Sequence, residues 1–296
     1  MSAPGWIHFA TSGVDTWLWL PPLAAFVLAF FSAMVGVSGA FLLLPFQMSV
    51  LGFTGPVVSA TNLLYNLFAT PGGIWRYARE GRLYLPLAAV IAGGALPGVL
   101  LGWWLRVTWL PDPARFRPFA AAVLALLAWR LLRAAPSAAG DDWRLTPLPA
   151  RAGRLRFRFR GVAHGFRPLP LAALSLAVGV VGGAYGIGGG ALVAPLCIGL
   201  LRLPVHVVAG AALTGTFVTS LAGVAAYALL PAPGGGHAAP DWALGALFGV
   251  GGLAGMYLGA ACQRHVPQGW LRHGLAVLLA ALAAHYAWPA LAMLAP

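Results

Sequence analysis

The stretch Tyr185-Gly186-Ile187-Gly188-Gly189-Gly190-Ala191-Leu192-Val193-Ala194-Pro195 is a glycine cluster inside an apolar run that reaches from Leu169 to Leu203. That run has 35 residues, whereas an α-helix crosses the hydrocarbon core of a bilayer with about 20. Each glycine disfavours helical backbone by about 1 kcal/mol relative to alanine. We therefore expect the run to break at the glycines, and backbone unwound inside a membrane is a candidate binding site. Close helix packing through small residues is the alternative explanation.

The composition is that of a multi-pass membrane protein. Hydrophobic residues make up 60% of the 296, only 8% are charged, and the mean hydropathy is +0.83. A soluble fold of this length could not bury so much apolar surface. The first span lacks a preceding Lys or Arg and a persuasive cleavage pattern, so we expect it to be retained. Cys197 and Cys262 lie in apolar segments without metal or disulfide spacing, and we interpret them as packing residues.

The glycine cluster has a weaker copy in the first half of the chain. The apolar run from Leu18 to Leu51 contains Gly36-Val37-Ser38-Gly39-Ala40, followed by Pro45. An offset of 150 residues aligns this copy with the second half, and the same register continues through Tyr77. An offset of 157 then pairs a glycine triplet in each half, Gly94, Gly98 and Gly102 with Gly251, Gly255 and Gly259. The chain is therefore predicted to contain an internal duplication.

The predicted fold is an all-α integral membrane protein with two internal inverted repeats. The first transmembrane repeat covers 18–132, an arginine-rich cytoplasmic linker covers 133–168, and the second repeat covers 169–288. Each repeat has a glycine-broken helix, discontinuous or re-entrant, followed by three transmembrane helices. These continuous spans are predicted at 57–77, 84–107 and 116–132, and at 205–229, 242–262 and 271–288. Arginines alternate with apolar residues in the linker in a strand-like manner, but we interpret it as a loop or an interfacial segment on anionic headgroups.

The distribution of arginines chooses between two topologies. The net charge of +12 comes from 18 arginines, with no lysine, and most lie in loops, where retention on the cytoplasmic face explains them better than a nucleic-acid partner. If each broken run crosses the membrane once, the halves are parallel and the arginines divide twelve against six. If each broken run returns to its starting side, the halves are inverted and the division is fifteen against three. The positive-inside rule favours the inverted arrangement, with the linker inside and both termini outside.

The span after each break carries uncharged polar residues at helical spacing. They are Ser59, Asn62, Asn66 and Thr70 in the first repeat, and Thr216, Thr219 and Ser220 in the second. Two asparagines one turn apart are costly to bury unless a partner uses them, so Asn62 and Asn66 either bind the ligand or form hydrogen bonds between helices. For the hydroxyl residues, bonding to carbonyls of their own helix is the simpler expectation.

Carboxylates are almost absent from the predicted spans, which bears on the class of ligand. A cation site, a metal site or an acid–base catalyst has no ligands or groups to build it, so we expect no cofactor, no metal and no catalytic residue. An anion can be held by free N–H groups at a glycine break, together with hydroxyl and amide donors. Gly36, Ser38, Gly39, Gly186, Gly188, Gly189 and Gly190 are the predicted backbone donors, and Asn62, Asn66 and Thr216 the predicted side-chain contacts.

The run Gly186-Ile187-Gly188-Gly189-Gly190 with Pro195, its duplicated weaker copy and the basic mid-chain loop together resemble the TauE/SafE family of sulfite or organosulfonate exporters. The resemblance spans roughly Leu18 to Trp288. In the first half, Ser38 and Ala40 depart from the motif. The resemblance implies a permease that moves a small sulfur-containing anion, such as sulfite or sulfoacetate, across the bacterial inner membrane.

Two other functions stay open from the sequence. A membrane lipid phosphatase with re-entrant inverted repeats would need clustered Glu, Ser, Arg and His at the breaks, which the sequence does not offer. A non-transporting assembly subunit would not explain the polar residues at helical spacing in the span after each break. His206 follows the second broken run, and Arg76, Arg79 and Arg82 stand at a span end; topology alone explains these arginines, and attraction of anions to the cytoplasmic mouth is the alternative. Oligomeric state, coupling ion and direction of transport are not readable from the chain.

Overall fold

The structure is a computed structural model that describes residues 5–35, 37–133, 145–233, 235, 237–263, 266 and 268–292. Within these residues the chain forms ten helices and five short strands. The helices are α1 Leu20–Met34, α2 Ala40–Ser49, α3 Pro56–Arg79, α4 Leu85–Thr108, α5 Pro113–Arg133, α6 Pro168–Tyr185, α7 Gly189–Leu201, α8 Val205–Leu229, α9 Trp242–Cys262 and α10 Gln268–Ala292. The strands are β1 Trp6–Phe9, β2 Val14–Trp17, β3 Leu145–Arg151, β4 Arg154–Phe159 and β5 Val162–Phe166.

Both predicted breaks are present. The first apolar run is divided between α1, which ends at Met34, and α2, which begins at Ala40. The second is divided between α6 and α7 by Gly186, with φ of 92°, and Gly188, with φ of 72°. These left-handed backbone conformations are open to glycine and rarely to other residues, so the glycines end one helix and allow the next to begin. The prediction of two broken runs is confirmed; Gly36 itself lies outside the described residues.

The six predicted continuous spans correspond to α3, α4, α5, α8, α9 and α10. Among the described residues, four helices are long and apolar enough to cross a membrane by length and composition, namely α4, α6, α8 and α9. The mostly helical architecture with several apolar spans agrees with the predicted all-α membrane fold.

The two glycine triplets make close helix packing between backbones. Gly94, Gly98 and Gly102 of α4 lie against the backbone of α6, so that a Cβ on Gly94 would stand 2.5 Å from the carbonyl oxygen of Ala172. The equivalent triplet of α9, Gly251, Gly255 and Gly259, lies in the same way against α1. Glycines spaced four residues apart let two backbones approach each other closely in a membrane. The pairs α4–α6 and α1–α9 are therefore equivalent contacts of the two repeats.

The same contacts give the directions of the helices. Along α4, Gly94 faces Ala172 and Gly102 faces Ala184, so α4 and α6 run in the same direction. On α9, Gly251 faces Pro22, and Gly259 lies against residue 30, so α9 and α1 also run in the same direction.

The central helices α3 and α8 run in opposite directions. Gly73 of α3 faces Leu213 of α8, while Gly223 of α8 faces Leu63 of α3. Further glycine contacts show that α9 runs with α3, and α4 with α8. It follows that α1 and α3 run in the same direction, so the chain reverses through α2 between them. By the same reasoning the chain reverses through α7 between α6 and α8.

Two small sheets lie at the ends of the helices. The antiparallel hairpin of β1 and β2 is held to the start of α9 by Asp241, which accepts hydrogen bonds from the backbone N–H and hydroxyl of Ser12 at 3.1 and 2.7 Å. Asp241 also caps α9 by accepting from the N–H of Leu244 at 3.0 Å. This hairpin was not predicted.

The second sheet is formed by the linker, in the order β3-β4-β5. The interpretation of this segment as a loop is wrong for residues 145–166, because the alternation of arginine with apolar residues does form strands. Phe157 and Phe159 are buried. The ring of Phe157 packs 4.9 Å from that of Tyr84, whose hydroxyl donates to the carbonyl oxygen of Arg156 at 3.1 Å. Contact with the start of α4 gives the apolar face of the strands a surface on which to be buried.

Candidate functional site

Asn62 on α3 joins the two breaks. Its side-chain nitrogen Nδ2 donates to the carbonyl oxygen of Ala40 at 2.8 Å and to that of Gly186 at 3.0 Å. Its Oδ1 accepts from Nε2 of Gln47 at 3.2 Å. The side chain is fully buried. Asn62 was predicted to contact the ligand, but in this conformation both its N–H groups and its oxygen are bonded within the protein, so it connects the breaks to each other.

The hydroxyl group of Ser38 stabilises the first break through two hydrogen bonds. Oγ of Ser38 donates to Oδ1 of Asn66 at 2.6 Å and accepts from the N–H of Ala40 at 3.3 Å. Gly39 lies against α3, where a Cβ would stand 2.7 Å from the hydroxyl oxygen of Tyr65. In the described part of the chain, Nδ2 of Asn66 and the hydroxyl of Tyr65 have no hydrogen-bond partner, although both side chains are fully buried.

Most backbone amides of the second break are in use. The N–H groups of Gly186 and Gly188 donate to the carbonyl oxygen of Gly182, at 2.8 and 3.3 Å. The N–H of Gly189 donates to Oγ1 of Thr219 at 2.9 Å. The prediction that these three glycines present free backbone donors is therefore wrong for this conformation. A Schellman-like turn at the end of α6 takes up the first two amides, and α8 takes up the third.

Three hydroxyl groups of α8 lie at the second break, and they differ in their hydrogen bonds. Thr219 follows the expected pattern, since its hydroxyl donates to the carbonyl oxygen of Gly215 at 2.7 Å. Oγ1 of Thr216 and Oγ of Ser220 have no hydrogen-bond partner among the residues that the structure describes, and both are fully buried. A hydroxyl buried without a partner costs about 1–3 kcal/mol, which makes these two groups candidates for a ligand.

Both hydroxyls face the glycines of the break. A Cβ on Gly190 would stand 2.6 Å from Oγ1 of Thr216, and a Cβ on Gly188 would stand 3.0 Å from Oγ of Ser220. Thr216 and Ser220 are four residues apart on α8 and therefore share one side of the helix. The antiparallel contacts of α3 with α8 place Asn66 level with Ser220. Thr216 lies one turn, about 6 Å, from Ser220 on α8. Nδ2 of Asn66 and the two hydroxyls therefore lie within one helical turn along the α3–α8 pair.

Arg106 is a functional candidate that the sequence analysis missed. It is fully buried, with Nε donating to Oγ of Ser59 at 3.1 Å, Nη2 donating to the carbonyl oxygen of Gly55 at 2.6 Å, and the guanidinium 3.8 Å from the centre of the Phe116 ring. Oγ of Ser59 in turn donates to the carbonyl oxygen of Ala184 at 3.1 Å, two residues before the second break begins to unwind. Among the described residues no carboxylate pairs with Arg106. In the sequence it contributes only to the count of arginines on each side of the membrane. A charge inside the last turn of an apolar span is nevertheless a signal of a functional residue.

Gln47 and Tyr185 were also missed. Gln47 is the partner of Asn62, and the hydroxyl of Tyr185 donates to the carbonyl oxygen of Phe41 at 3.1 Å, which ties α6 to α2. Each lies in a largely apolar helix, and no spacing rule connected it with the breaks. Within the described ranges, no group of three His, Cys, Asp or Glu is placed to hold a metal ion.

Comparisons with known proteins bear on the family of this chain. Residues 22–286 match the sequence model of the family described as sulfite exporter TauE/SafE. No curated protein and no solved structure gives a significant match. Because the matched residues cover most of the chain, including both breaks and all the helices between them, the protein belongs to the TauE/SafE family of sulfite exporters and is a membrane transporter.

Proposed function

We propose that this protein is a permease that exports a small sulfur oxyanion or organosulfonate, such as sulfite or sulfoacetate, across the bacterial inner membrane. The observation that carries the proposal is a set of buried donors, within one helical turn along α3 and α8, that have no partner among the described residues: Nδ2 of Asn66, Oγ1 of Thr216 and Oγ of Ser220. Family membership supports an anion as the class of cargo.

A buried charge beside the second break also favours an anion. Arg106 carries a buried positive charge. Its Nε donates to Oγ of Ser59, which in turn donates to the carbonyl oxygen of Ala184 near the second break. It is stabilised by carbonyl oxygens and by the ring of Phe116 rather than by a carboxylate in the described residues. A buried cation with no counter-ion raises the local potential, and in a medium of low dielectric constant that potential extends over several ångströms. An anion that accepts hydrogen bonds from the three donors would be stabilised by it.

The site is closed in this conformation. The glycines of the break lie in direct contact with the hydroxyl groups of α8, which leaves no room for an anion between Gly190 and Thr216. We propose that α7 moves away from α8 to admit the ligand. The contact consists of glycine backbone against α8, without interlocking side chains at Gly188 and Gly190, so a small separation would open it.

An inverted arrangement of the two halves fits such a transport cycle. The equivalent helices α3 and α8 run in opposite directions, and α2 and α7 each reverse the chain, which supports the topology with fifteen arginines on one side and three on the other. In that topology each break would be exposed to a different side of the membrane in turn. The inside-negative potential would favour outward movement by about 2.3 kcal/mol per charge per 100 mV.

The proposal is tested with the purified protein in liposomes. We expect saturable efflux of sulfite, sulfoacetate or thiosulfate that increases when the side receiving the anion is made positive. Thr216→Val should weaken this flux, while Thr214→Val serves as a matched control, because the Thr214 hydroxyl already donates to the carbonyl oxygen of Gly210 at 3.0 Å. Flux no higher than in protein-free liposomes for all three anions would contradict the proposal and favour an assembly role.

A further inference from the structure

Two apolar spaces lie on either side of α5 and come close together near its last turns. The first is an open groove between α5 and α10, with a volume of about 660 Å³. Alanines line both of its walls, between Ala121 and Ala128 on α5 and between Ala280 and Ala287 on α10. The second is a cavity of about 170 Å³ between α5, α6 and α7. Apolar chains could therefore lie along both sides of α5.

The groove is long enough for a lipid tail. Its lining on α5 extends from Pro118 to Leu132, a distance of fourteen residues, or about 21 Å along a helix axis. One leaflet of the hydrocarbon core is about 15 Å thick, half of the whole core. Leu126 and Leu132 are 41% and 53% exposed, so this side of α5 faces acyl chains in a membrane. A tail can lie lengthwise in the groove, because the alanine walls fill little of it.

Two arginines and a tryptophan stand where the two spaces come together. The guanidinium groups of Arg130 and Arg133 lie 4.6 and 4.8 Å from the centre of the Trp129 ring. Trp129 lines the groove, and Arg130 lines the cavity. Tryptophan is enriched at the level where hydrocarbon meets lipid headgroups. Headgroups at that level would lie beside both arginines.

The arginines of α5 have hydrogen-bond donors to offer. Nε of Arg130 is buried and has no hydrogen-bond partner in the part of the chain that the structure describes. The ion pairs within that part involve His8, Arg76 and Arg82, so they leave Arg130 and Arg133 without a carboxylate there. A phosphate group accepts charge-assisted hydrogen bonds from guanidinium groups in just such a position.

The equivalent space in the other half has the shape without the charge. A groove of about 520 Å³ lies between α1, α2 and α10, where Leu28 and Leu42 correspond, at the offset of 150, to Val178 and Leu192 of the cavity. Its lining among the described residues is apolar and includes Trp270 but no arginine. Shape alone does not select a lipid, since lipid tails find apolar surroundings throughout the bilayer. The charge beside α5 supplies the selection that the other groove lacks.

We propose that an anionic phospholipid binds across the last turns of α5, with its phosphate at Arg130 and Arg133, one acyl chain in the groove and the other in the cavity. A zwitterionic lipid would bring its own positive group beside the two arginines, which disfavours it. The end of α5 lies on the side of the linker sheet, because α4 begins there at Tyr84 and α5 returns after a short connection. In the inverted topology this is the cytoplasmic leaflet, whose anionic lipids attract basic segments.

Binding of phosphatidylglycerol to the purified, delipidated full chain in an uncharged detergent tests this site, with bound lipids counted by native mass spectrometry. We expect the wild type to bind its first phosphatidylglycerol about tenfold more tightly than phosphatidylcholine. Arg130→Gln should raise the Kd for phosphatidylglycerol about fivefold by removing one charge. Arg117→Gln removes the same charge from an exposed position at the opposite end of α5, and this matched control should bind as the wild type does.

A second variant tests the groove rather than the charge. Ala125→Phe places a ring in the groove from an exposed position of α5, so the variant should fold. We expect its Kd for phosphatidylglycerol to rise about tenfold although both arginines remain, because the ring occupies the place of the acyl chain.

Equal affinity of the wild type for the two lipids would overturn the proposal, and so would an unchanged Kd in Arg130→Gln. A wild-type dimer that Ala125→Phe converts to a monomer, with lipid binding unaltered, would also overturn it by assigning the groove to a second copy of the chain. These measurements involve no transport. Liposomes without flux would therefore contradict the proposed function and leave the lipid site standing.

Discussion

The two breaks differ at an equivalent position, where the first has Ser38 and the second has Gly188. In the first break the hydroxyl of Ser38 bonds to Asn66 on the following helix. In the second, Gly188 offers no side chain, and the hydroxyls of Thr216 and Ser220 stay without partners in the described part of the chain. Because the second break has no hydroxyl at the position of Ser38, the hydroxyls of Thr216 and Ser220 are left as donors for a ligand.

The breaks also differ in how closely they pack. Ala40 begins α2 with a methyl group, whereas its counterpart Gly190 leaves no space for one, because a Cβ there would collide with the carbonyl oxygen of Ala212. The first break is fixed by side-chain hydrogen bonds, and the second by close contact of backbone with α8. We propose that the first half holds the site in place and that the second half carries the part that moves.

The largest effect is expected when Gly190 is given the methyl group of Ala40. Gly190→Ala should destabilise the fold by about 3 kcal/mol, since the new Cβ meets backbone that cannot rotate away. Flux should be abolished. Gly199→Ala in the same helix is the control, because its Cβ would meet only Nη1 of Arg130, at an ordinary 3.6 Å. Unfolding of both variants in denaturing detergent measures the difference, and equal stability would refute the close packing of the second break.

Removing the connection between the breaks should have the next largest effect. Asn62→Leu leaves the carbonyl oxygens of Ala40 and Gly186 without their donor, and we expect a loss of about 2 kcal/mol in unfolding free energy. Gln47→Leu removes only one of the bonds of Asn62 and should cost less than half as much. Equal unfolding free energies for the two variants would show that Asn62 does not connect the breaks.

A pair of threonines on α8 separates binding from stability. Thr216→Val removes a buried hydroxyl that has no partner among the described residues, so stability should stay equal or rise, while the KM for sulfite rises about tenfold, or about 1.4 kcal/mol. Thr219→Val removes a hydroxyl that bonds to Gly189 and Gly215, so it should lower stability by about 1 kcal/mol. Flux and unfolding measured on both variants test this, and a stability loss in Thr216→Val with normal KM would reverse the assignment.

The smallest effect is expected when the first break is made like the second. Ser38→Gly removes the hydrogen bond to Asn66 and should cost about 1 kcal/mol of stability. Flux should change by less than about twofold, because the moving half is untouched. A larger loss of flux than in Thr216→Val would show that the first break, rather than the second, receives the ligand.

The helices and their interruptions could be predicted because they depend on local composition. Apolar length set the spans, glycine runs set the breaks, and the offset of 150 residues related Asn66 to Thr216 before any contact was known. The linker strands were missed because alternation alone does not show whether a buried surface exists for the apolar face, and Tyr84 supplies that surface from 72 residues away.

Which hydrogen-bond donors are already paired within the protein could not be predicted. The sequence gives no sign that Gly182 accepts bonds from the amides of the second break, or that Asn62 spends both its N–H groups on carbonyl oxygens. Arg106 was misjudged for the same reason, since burial of a charge at the end of a span depends on which carbonyls and rings the fold brings to it. These hydrogen bonds and contacts depend on tertiary structure. The sequence pattern of a helical face is the same whether its polar groups are hydrogen-bonded or not.

The most direct measurement is the position of a bound anion. Selenite has the geometry of sulfite and a heavier central atom, so crystals of the protein grown with selenite would locate it by anomalous diffraction. We predict a peak between α3 and α8, within about 4 Å of Oγ1 of Thr216 and Oγ of Ser220, with α7 displaced from α8. A peak elsewhere in the membrane-spanning region, with Thr216 and Ser220 still closed against Gly188 and Gly190, would contradict the central claim.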